Sequence, residues 1–451
     1  MLAPAALISI VLLVLGALIV LLFTNRLTRD TPLLITLGVV SLVVGGLPAF
    51  GALRADDAHT ALAIAGVAAA GAIGMLLVGS AELQDSTQRP EIAALILLGS
   101  AGGVAFATAG ELLSAVLGLE TLSLTAAIMV ALSRGERPLE AAFKYFVLAA
   151  ISFATLVYGV GLVFMATGSF AFPSLAVAEP AFRWLLVAGV LLVGLGFAYE
   201  LALVPLHWGL LDSYTTGAPA LVGFVLAASK IAAVVALSRL LGGLGIEVPL
   251  ASALIVIGLI SIVWGTLGAL AQRELRRLLA YSTVANAGFL ALALGCGASG
   301  RAAAIFFVVV YALTSLLVFA TLSGRGTGPL PLADVRAEGF GPLRAIALSI
   351  GLLSLAGIPP APGFWSKLAV LQASWEALGW LPTLIAALGG VAGVLYYLRP
   401  LPDLFAVIRT GAPGRLVPSP TPAVLLAGAG VVLLAIAPGV LYALARFATG
   451  A

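Results

Sequence analysis

Only three lysines occur in this chain, Lys144, Lys230 and Lys367, and each lies inside or against a long apolar segment. A charged residue at the centre of a membrane helix costs roughly 2.5 to 3.5 kcal/mol on insertion scales, so such a lysine needs a partner or a function. A coding bias towards arginine is the alternative explanation. Lysines left by chance would favour loops, however, and none of the three lies in a clear loop.

The first lysine has a carboxylate in the preceding predicted helix. Glu120 lies in GLETLSL and Lys144 in LEAAFKYF, and only the short polar loop SRGERP separates the two apolar segments. We expect antiparallel neighbours in which Glu120 and Lys144 stabilise each other's charged forms, so that a moving proton changes both. A static ion pair, or an interfacial Lys144 that reaches towards the loop, is the alternative. Glu111, at the start of the same helix as Glu120, is interpreted as an interfacial charge.

A proline interrupts the apolar segment FAYELALVPLHWGLLDSY between two titratable residues. Glu200 lies five residues before Pro205, and His207 lies two residues after it. Proline removes a backbone donor, and carbonyls freed at membrane depth need water or neighbouring groups, so broken helices usually line a cavity. Glu200 is therefore a candidate proton-binding carboxylate. His207 is a candidate relay, the alternative being a capping or loop histidine at the outer interface.

The other two lysines lie at membrane depth. Lys230 follows the stretch LVGFVLAAS about midway through its segment, where snorkelling offers no escape. Burial disfavours the ammonium form, so this lysine can exchange protons near physiological pH. In LSLAGIPPAPGFWSKLAVL, three prolines and a glycine interrupt the segment just before Lys367. A broken helix followed at once by a lysine predicts a second hydrated site.

The composition is that of a polytopic membrane protein: 62% of the 451 residues are hydrophobic and 9% are charged. A hydrocarbon slab of about 30 Å needs about 20 apolar residues per helix, and we predict an all-α fold with about fourteen such segments. Barrel strands would be shorter and alternating. The predicted segments are residues 3 to 23, 32 to 54, 60 to 81, 92 to 110, 112 to 132, 141 to 167, 182 to 204, 216 to 238, 248 to 270, 278 to 298, 302 to 322, 343 to 372, 381 to 398 and 421 to 446.

The proline-interrupted helices seven and twelve occupy corresponding places in two five-helix blocks, which is typical of an inverted repeat with an ion site in each half. Within a single membrane domain, 1–451, we expect helices 1–3 in residues 1–90 and the two half-channels in 91–240 and 241–400. Helix 14 should occupy 401–451. No basic residue precedes the first apolar segment, so we interpret that segment as a retained helix rather than a secretion signal.

Arginine placement predicts the orientation, because cytoplasmic loops retain positive charge. Loops after even-numbered helices hold only Arg54, Arg183, Arg239 and Arg301. Both termini are therefore expected on the outer side, and no clustered basic and aromatic face suggests nucleic acid. Loops after odd-numbered helices hold Arg26, Arg29, Arg89, Arg134, Arg137, Arg273, Arg276, Arg277, Arg325, Arg336, Arg344, Arg399, Arg409 and Arg415.

One cysteine, Cys296, and two histidines, His59 and His207, exclude an internal disulfide, a cysteine-ligated iron–sulfur cluster and a histidine-rich metal site. We expect no metal or cofactor in this chain. Cys296 is most simply a small packing residue near a helix end.

Several segments together resemble the antiporter-like membrane subunits of respiratory complex I. They are LEAAFKYF, the pair PLHW and DSY followed by GAP and FVLAASK, RRLLAYSTVANAGF, and LSLAGIPPAPGFWSK. The resemblance covers roughly residues 95 to 400. Each segment alone is a weak signal, but the combination is fairly specific.

The resemblance implies a proton-translocating subunit of an NADH-quinone oxidoreductase in a bacterial inner membrane, with fourteen helices and a line of charged residues along the midplane. Glu120, Lys144, Lys230 and Lys367 fall on the family's charged positions of helices five, six, eight and twelve. It also implies that NAD, FMN, iron–sulfur clusters and quinone belong to partner subunits, namely other membrane subunits and a hydrophilic redox arm. Lysine on helix twelve favours the N and L types of the family over the M type, and the short C-terminus argues against the L type.

Two departures from the family pattern bear on mechanism. Glu200 stands where the family places a lysine five residues before the helix-seven proline, and Asn286 stands where a histidine is usual after AYSS. Glu200 and Glu120 would then share a proton or both depend on Lys144. Two further readings stay open: a subunit of a multi-subunit cation/proton antiporter or membrane-bound hydrogenase, and a scaffold with an inactive ion line.

Overall fold

The computed structural model describes residues 2–28, 30–55, 57–79, 83, 88–133, 135–172, 182–244, 249–324, 327–335, 340–411 and 421–451. Almost all of these residues are helical, and the only β-pairing among them consists of isolated bridges. Five of the arginines used to predict the orientation lie outside the described residues: Arg29, Arg134, Arg325, Arg336 and Arg415.

Twelve spans in the described residues are long and apolar enough to cross a membrane, one of which, Thr31–Arg54, consists of two consecutive helices, and a bent pair adds a thirteenth. The remaining predicted segment, 343 to 372, is divided into two helices, the second of which continues to Leu378. The helices are α1 Pro4–Leu22, α2 Thr24–Leu27, α3 Thr31–Gly46, α4 Pro48–Arg54, α5 Ala58–Leu77, α6 Arg89–Thr108, α7 Leu112–Ala131, α8 Glu136–Thr167, α9 Arg183–Leu201, α10 Trp208–Thr216, α11 Pro219–Gly243, α12 Leu250–Ala271, α13 Leu275–Gly295, α14 Gly297–Leu322, α15 Pro342–Ala356, α16 Pro362–Leu378, α17 Trp380–Tyr397, α18 Leu401–Thr410, α19 Thr421–Ile436 and α20 Pro438–Thr449.

The C-terminal segment differs from the prediction of a single helix over 421 to 446. The chain bends by 83° between α19 and α20. Pro438 begins α20, and a proline cannot donate the hydrogen bond that would continue α19. Residues 401–451, which were predicted to hold one helix, contain the short α18 and this bent pair.

The first halves of helix seven and helix twelve end in the same way. α9 ends before Ala202 and α15 before Gly357, and both of these residues have left-handed backbone, with φ of 66° and 79°. At each break a hydrogen bond spans the last turn, from Leu203 to Ala198 at 3.1 Å and from Ile358 to Leu353 at 3.2 Å. This is the Schellman ending of a helix, and it stops both helices inside an apolar segment.

A second pair of matching features lies at the start of α7 and α13. Glu111 precedes α7 and bridges to Ala171, while Glu274 precedes α13 and bridges to Pro331. Glu111 therefore has a positional counterpart in the other block, which the sequence did not reveal. The inverted relation of the two blocks stays a prediction.

Three of the counted arginines, Arg89, Arg276 and Arg344, are buried rather than exposed in loops. Arg276 donates to the carbonyl oxygen of Gly217, and Arg344 donates to that of Ser323 at 2.8 Å. These side chains fasten the ends of neighbouring helices to each other, so they have a packing role in addition to any effect on orientation.

At Gly118, α7 packs closely against the backbone of α6. A Cβ added at Gly118 would collide with the backbone of Ala105 and Phe106, whereas one added at Gly161 in α8 would meet nothing within 4 Å. We expect Gly118→Val to destabilise the protein by ~1–3 kcal/mol or more and Gly161→Val to be neutral. Thermal unfolding of both variants in detergent measures this, and equal midpoints would contradict the packing.

Candidate functional site

Lys230 belongs to α11, and its ammonium lies at the end of α9, the first half of the broken helix seven. Its side chain is 0% exposed, and its Nζ donates to the backbone carbonyl of Glu200 at 2.5 Å. Nζ also contacts the hydroxyl of Tyr214 at 3.2 Å. The last carbonyls of a helix lack partners within it and carry the negative end of its dipole. The ammonium of Lys230 therefore completes the broken end of α9.

Lys367 makes the same kind of contact at the break in helix twelve. Its Nζ donates to the carbonyls of Leu355 at 2.7 Å and Ala356 at 3.2 Å, and the residue is only 9% exposed. Leu355 lies two residues before Gly357, just as Glu200 lies two residues before Ala202. The two ammonium groups thus bind the same carbonyl position of two similar breaks, although Lys230 belongs to the next helix and Lys367 to the second half of the broken one.

The carboxylate of Glu200 is buried beside this contact. It is 0% exposed, and neither carboxylate oxygen has a hydrogen-bond partner in the described structure. Lys230 and Glu120 both lie within electrostatic range of it. The hydroxyl of Tyr145, which is also buried, has no hydrogen-bond partner in the described structure either, and its ring packs edge-on against Tyr199 with centroids 5.8 Å apart. Glu200 is therefore a fully buried titratable group close to the ammonium of Lys230.

The predicted pairing of Glu120 with Lys144 is wrong. Glu120 is half-buried on α7 and makes no ion pair with any described residue. Lys144, whose side chain is 49% exposed, pairs with Glu140 at 2.7 Å and with Asp212 at 3.2 Å. Lys144 is close to the start of α8, so its long side chain reaches the end of the bundle, as the interfacial alternative held.

The side chain of Lys144 lines a polar cleft between the two blocks. The cleft has a volume of about 270 Å³, and its walls include Asp212 from α10 and Glu274 from the start of α13. Burial raises the pKa of Glu274 above its ordinary value. The nine-residue helix α10 carries Asp212 in this cleft and Tyr214 against Lys230, so it connects the surface cluster with the buried ammonium.

His207 lies in the break between α9 and α10. The residue is buried, with 1% exposure, and its Nε2 accepts a hydrogen bond from Nε1 of Trp264 at 3.2 Å. It makes no side-chain cap to α10. A side-chain capping role is therefore wrong, although His207 does lie in the turn between the two helices. Its place at the outer interface and its relay role stay predictions.

Buried hydroxyl groups lie beside Lys230 and around α13. Tyr214 contacts Lys230 and is within electrostatic range of Tyr311, whose hydroxyl donates to Thr283 at 3.0 Å. Asn286, in place of the family's usual histidine, donates to the hydroxyl of Tyr397 at 3.1 Å. Sequence reasoning missed these tyrosines because a tyrosine in an apolar helix is more often a packing residue. The only signal was that Tyr214 stands in the quoted DSY segment.

The surroundings of Lys367 are mostly apolar. Its Nζ lies 5.8 Å from the ring centroid of Phe289, and a cavity of about 190 Å³ with apolar walls opens beside it. Cys296 is buried and donates to the carbonyl of Leu292 at 3.1 Å, as a packing residue would. No group of three or more His, Cys, Asp and Glu side chains in the described ranges is arranged to hold a metal ion.

Comparisons with known proteins identify one family. Residues 109–394 match the model of the family described as NADH:quinone oxidoreductase/Mrp antiporter, transmembrane. A relative in Deinococcus radiodurans, NADH-quinone oxidoreductase subunit N, is 36% identical and is aligned over 87% of this chain and 82% of its own.

Two solved structures share the fold. A chain of respiratory complex I from Thermus thermophilus is 28% identical with a TM-score of 0.82, covering 96% of this chain and 98% of its own. A chain of the Mrp complex from Dietzia has a TM-score of 0.84 and 20% identity, covering 99% and 97%. The second likeness concerns the fold alone.

The left-handed backbone of Ala202 at the break in helix seven can be tested by substitution. Left-handed backbone costs a residue other than glycine roughly 1–2 kcal/mol. We therefore expect Ala202→Gly to leave stability unchanged or raise it by up to about 1 kcal/mol, after the entropy of the unfolded chain is counted. Ala198→Gly, inside α9, should lower it by about 1 kcal/mol. Thermal midpoints in detergent decide, and equal losses in the two variants would contradict a left-handed Ala202.

Proposed function

Because this chain belongs to the NADH:quinone oxidoreductase/Mrp antiporter family of membrane proteins, we propose that it is a proton-translocating membrane subunit of an NADH-quinone oxidoreductase. The observation that carries the proposal is the pair of buried lysines, each bound to the last carbonyls of a broken helix. Redox chemistry belongs to partner subunits, which supply NAD, FMN, iron–sulfur and quinone sites. The chain lies in a bacterial inner membrane with both termini on the outer side.

The proposed half-channels are residues 91–240 and 241–400, each with one broken helix at its centre. Lys230 and Lys367 are consecutive proton-binding groups on a line along the midplane. An ammonium that gives up its proton also weakens the contact that completes the broken helix, so proton transfer and the geometry of the break are coupled. Electron transfer in partner subunits acts on this line by changing the charge near its first members.

The first half-channel holds a carboxylate where the family has a lysine. In our mechanism Glu120 and Glu200 bind protons in turn, since two carboxylates within electrostatic range disfavour being charged together. Lys144, Glu140 and Asp212 form the surface cluster from which this half-channel takes up protons. His207 acts as a relay at the break.

Transfer between the halves uses hydroxyl groups. A hydroxyl both donates and accepts hydrogen bonds, so Tyr214, Tyr311 and Thr283 can pass a proton along a chain completed by water. Asn286 holds Tyr397 in place beside them. The tyrosines thereby take the role that a histidine has in the family pattern.

A second candidate function, a subunit of a cation/proton antiporter or a membrane-bound hydrogenase, is favoured by one observation, the shared fold with the Mrp chain. Purification of the intact complex in mild detergent followed by mass spectrometry separates the two. NADH-oxidising and quinone-site partners support the first function, and small antiporter subunits or a nickel–iron module support the second.

Loss of the Lys230 ammonium should reduce proton pumping. We expect Lys230→Ala, in the intact complex, to lower the number of protons pumped per electron while assembly is retained, because the line loses its central proton carrier. Val234→Ala, one turn further along α11 and equally buried, is the control for the cavity created. Proton uptake into vesicles during NADH oxidation measures the ratio. A normal ratio in Lys230→Ala would favour the scaffold reading.

The carboxylate of Glu200 can be tested separately from its carbonyl. Glu200→Gln keeps the side-chain volume and leaves the backbone carbonyl that binds Lys230, so the fold should be unchanged. We expect a lower ratio of protons to electrons, since the amide cannot bind a proton. Glu376→Gln, at an exposed carboxylate on α16, should pump normally. Equal ratios in these two variants would show that Glu200 carries no proton.

A further inference from the structure

A polar cavity lies at the end of the bundle that carries the C-terminus. Its volume is about 470 Å³, and its walls include His59 from α5, Ser238 and Arg239 from α11, Arg301 from α14 and Thr449 from α20. Helices end here, at the level where lipid headgroups meet a membrane protein. The buried lysines and the Lys144 cleft have no part in it.

Positive charge dominates this cavity. Arg239 is held in place, because its Nε donates to the carbonyl of Ala109 at 3.2 Å and its Nη1 lies 3.7 Å from a carboxylate oxygen of Asp57. Asp57 is the carboxylate whose charge acts on His59, and it is already engaged by Arg239. The described walls of the cavity thus hold two guanidinium groups and an imidazole, and no Asp or Glu side chain.

Arg301 is the unsatisfied member. It is half-buried in the cavity wall, within electrostatic range of His59, and it makes no hydrogen bond or ion pair with any described residue. A guanidinium has five donors and no acceptor, so Arg301 presents donors to a ligand that enters the cavity. His59 and Ser238 are linked by a hydrogen bond of 3.2 Å and present further polar atoms beside it.

We propose that this cavity binds a phosphate group, held by Arg301 and Arg239 with His59 and Ser238 as hydrogen-bonding neighbours. Guanidinium groups bind phosphate oxygens through two parallel hydrogen bonds, which makes arginine pairs typical of phosphate sites. The cavity lies at headgroup level, and a lipid phosphate and inorganic phosphate share the chemistry that it recognises. The site stabilises the junction of α5, α11, α14 and α20 and does not depend on proton translocation.

The test uses the intact complex purified in detergent, with native mass spectrometry as the readout. The complex is titrated with phosphatidylglycerol, with phosphatidylcholine and with inorganic phosphate. We expect Arg301→Gln to weaken binding of the anionic ligand by about ten-fold or more, because it removes a charge-assisted hydrogen-bond pair. Arg301→Lys keeps the charge but loses the forked geometry of the guanidinium. Its affinity for the anionic ligand should lie between that of the unmodified complex and that of Arg301→Gln.

Arg446→Gln is the matched control, since Arg446 is an exposed arginine at the same end of α20 that does not line the cavity. Binding of phosphatidylglycerol that depends on Arg301, without competition from inorganic phosphate, identifies a lipid headgroup. Binding of inorganic phosphate that depends on Arg301 identifies a free phosphate site. Equal binding by the unmodified complex, Arg301→Gln and Arg446→Gln overturns the proposal, whatever the pumping activity of the variants.

Discussion

The structure depends on how a helix is ended inside a membrane. Carbonyls at the end of a broken helix cannot be met by lipid, so another group of the protein must meet them. At both breaks that group is a lysine ammonium. Lys230 binds the carbonyl of Glu200 in one block, and Lys367 binds the carbonyls of Leu355 and Ala356 in the other. The same contact completes the broken end of the helix and, in the proposed function, makes the local geometry sensitive to the proton that the ammonium carries.

The breaks themselves were predictable from the sequence, because prolines and lysines are conspicuous inside apolar segments. The contacts were not. Lys230 and Glu200 are thirty residues apart and meet only through the packing of α11 against α9. The surface partners of Lys144 show the same limit: Glu140 lies four residues away on one helix face and could have been foreseen, whereas Asp212 comes from another helix.

Polar residues that look ordinary in a sequence were the main omission. Tyr311 and Tyr397 lie in helices that read as apolar, and their roles rest on hydrogen bonds across helices to Thr283 and Asn286. The bend between α19 and α20 was missed for another reason. Pro438 was visible, but the apolar character on both sides of it suggested continuity, and only the packed structure shows two directions. Charge placed by packing, as at Arg301, is likewise invisible before the helices are assembled.

The central claim is that Lys230 and Lys367 serve one proton line rather than two independent channels. The direct measurement is the number of protons pumped per electron by the complex with Lys230→Ala, with Lys367→Ala and with both. Consecutive members of one line are strongly non-additive, so the double variant should pump no fewer protons than the lower of the two single variants. Losses that add in the double variant, or an unchanged ratio in all three, would contradict the account.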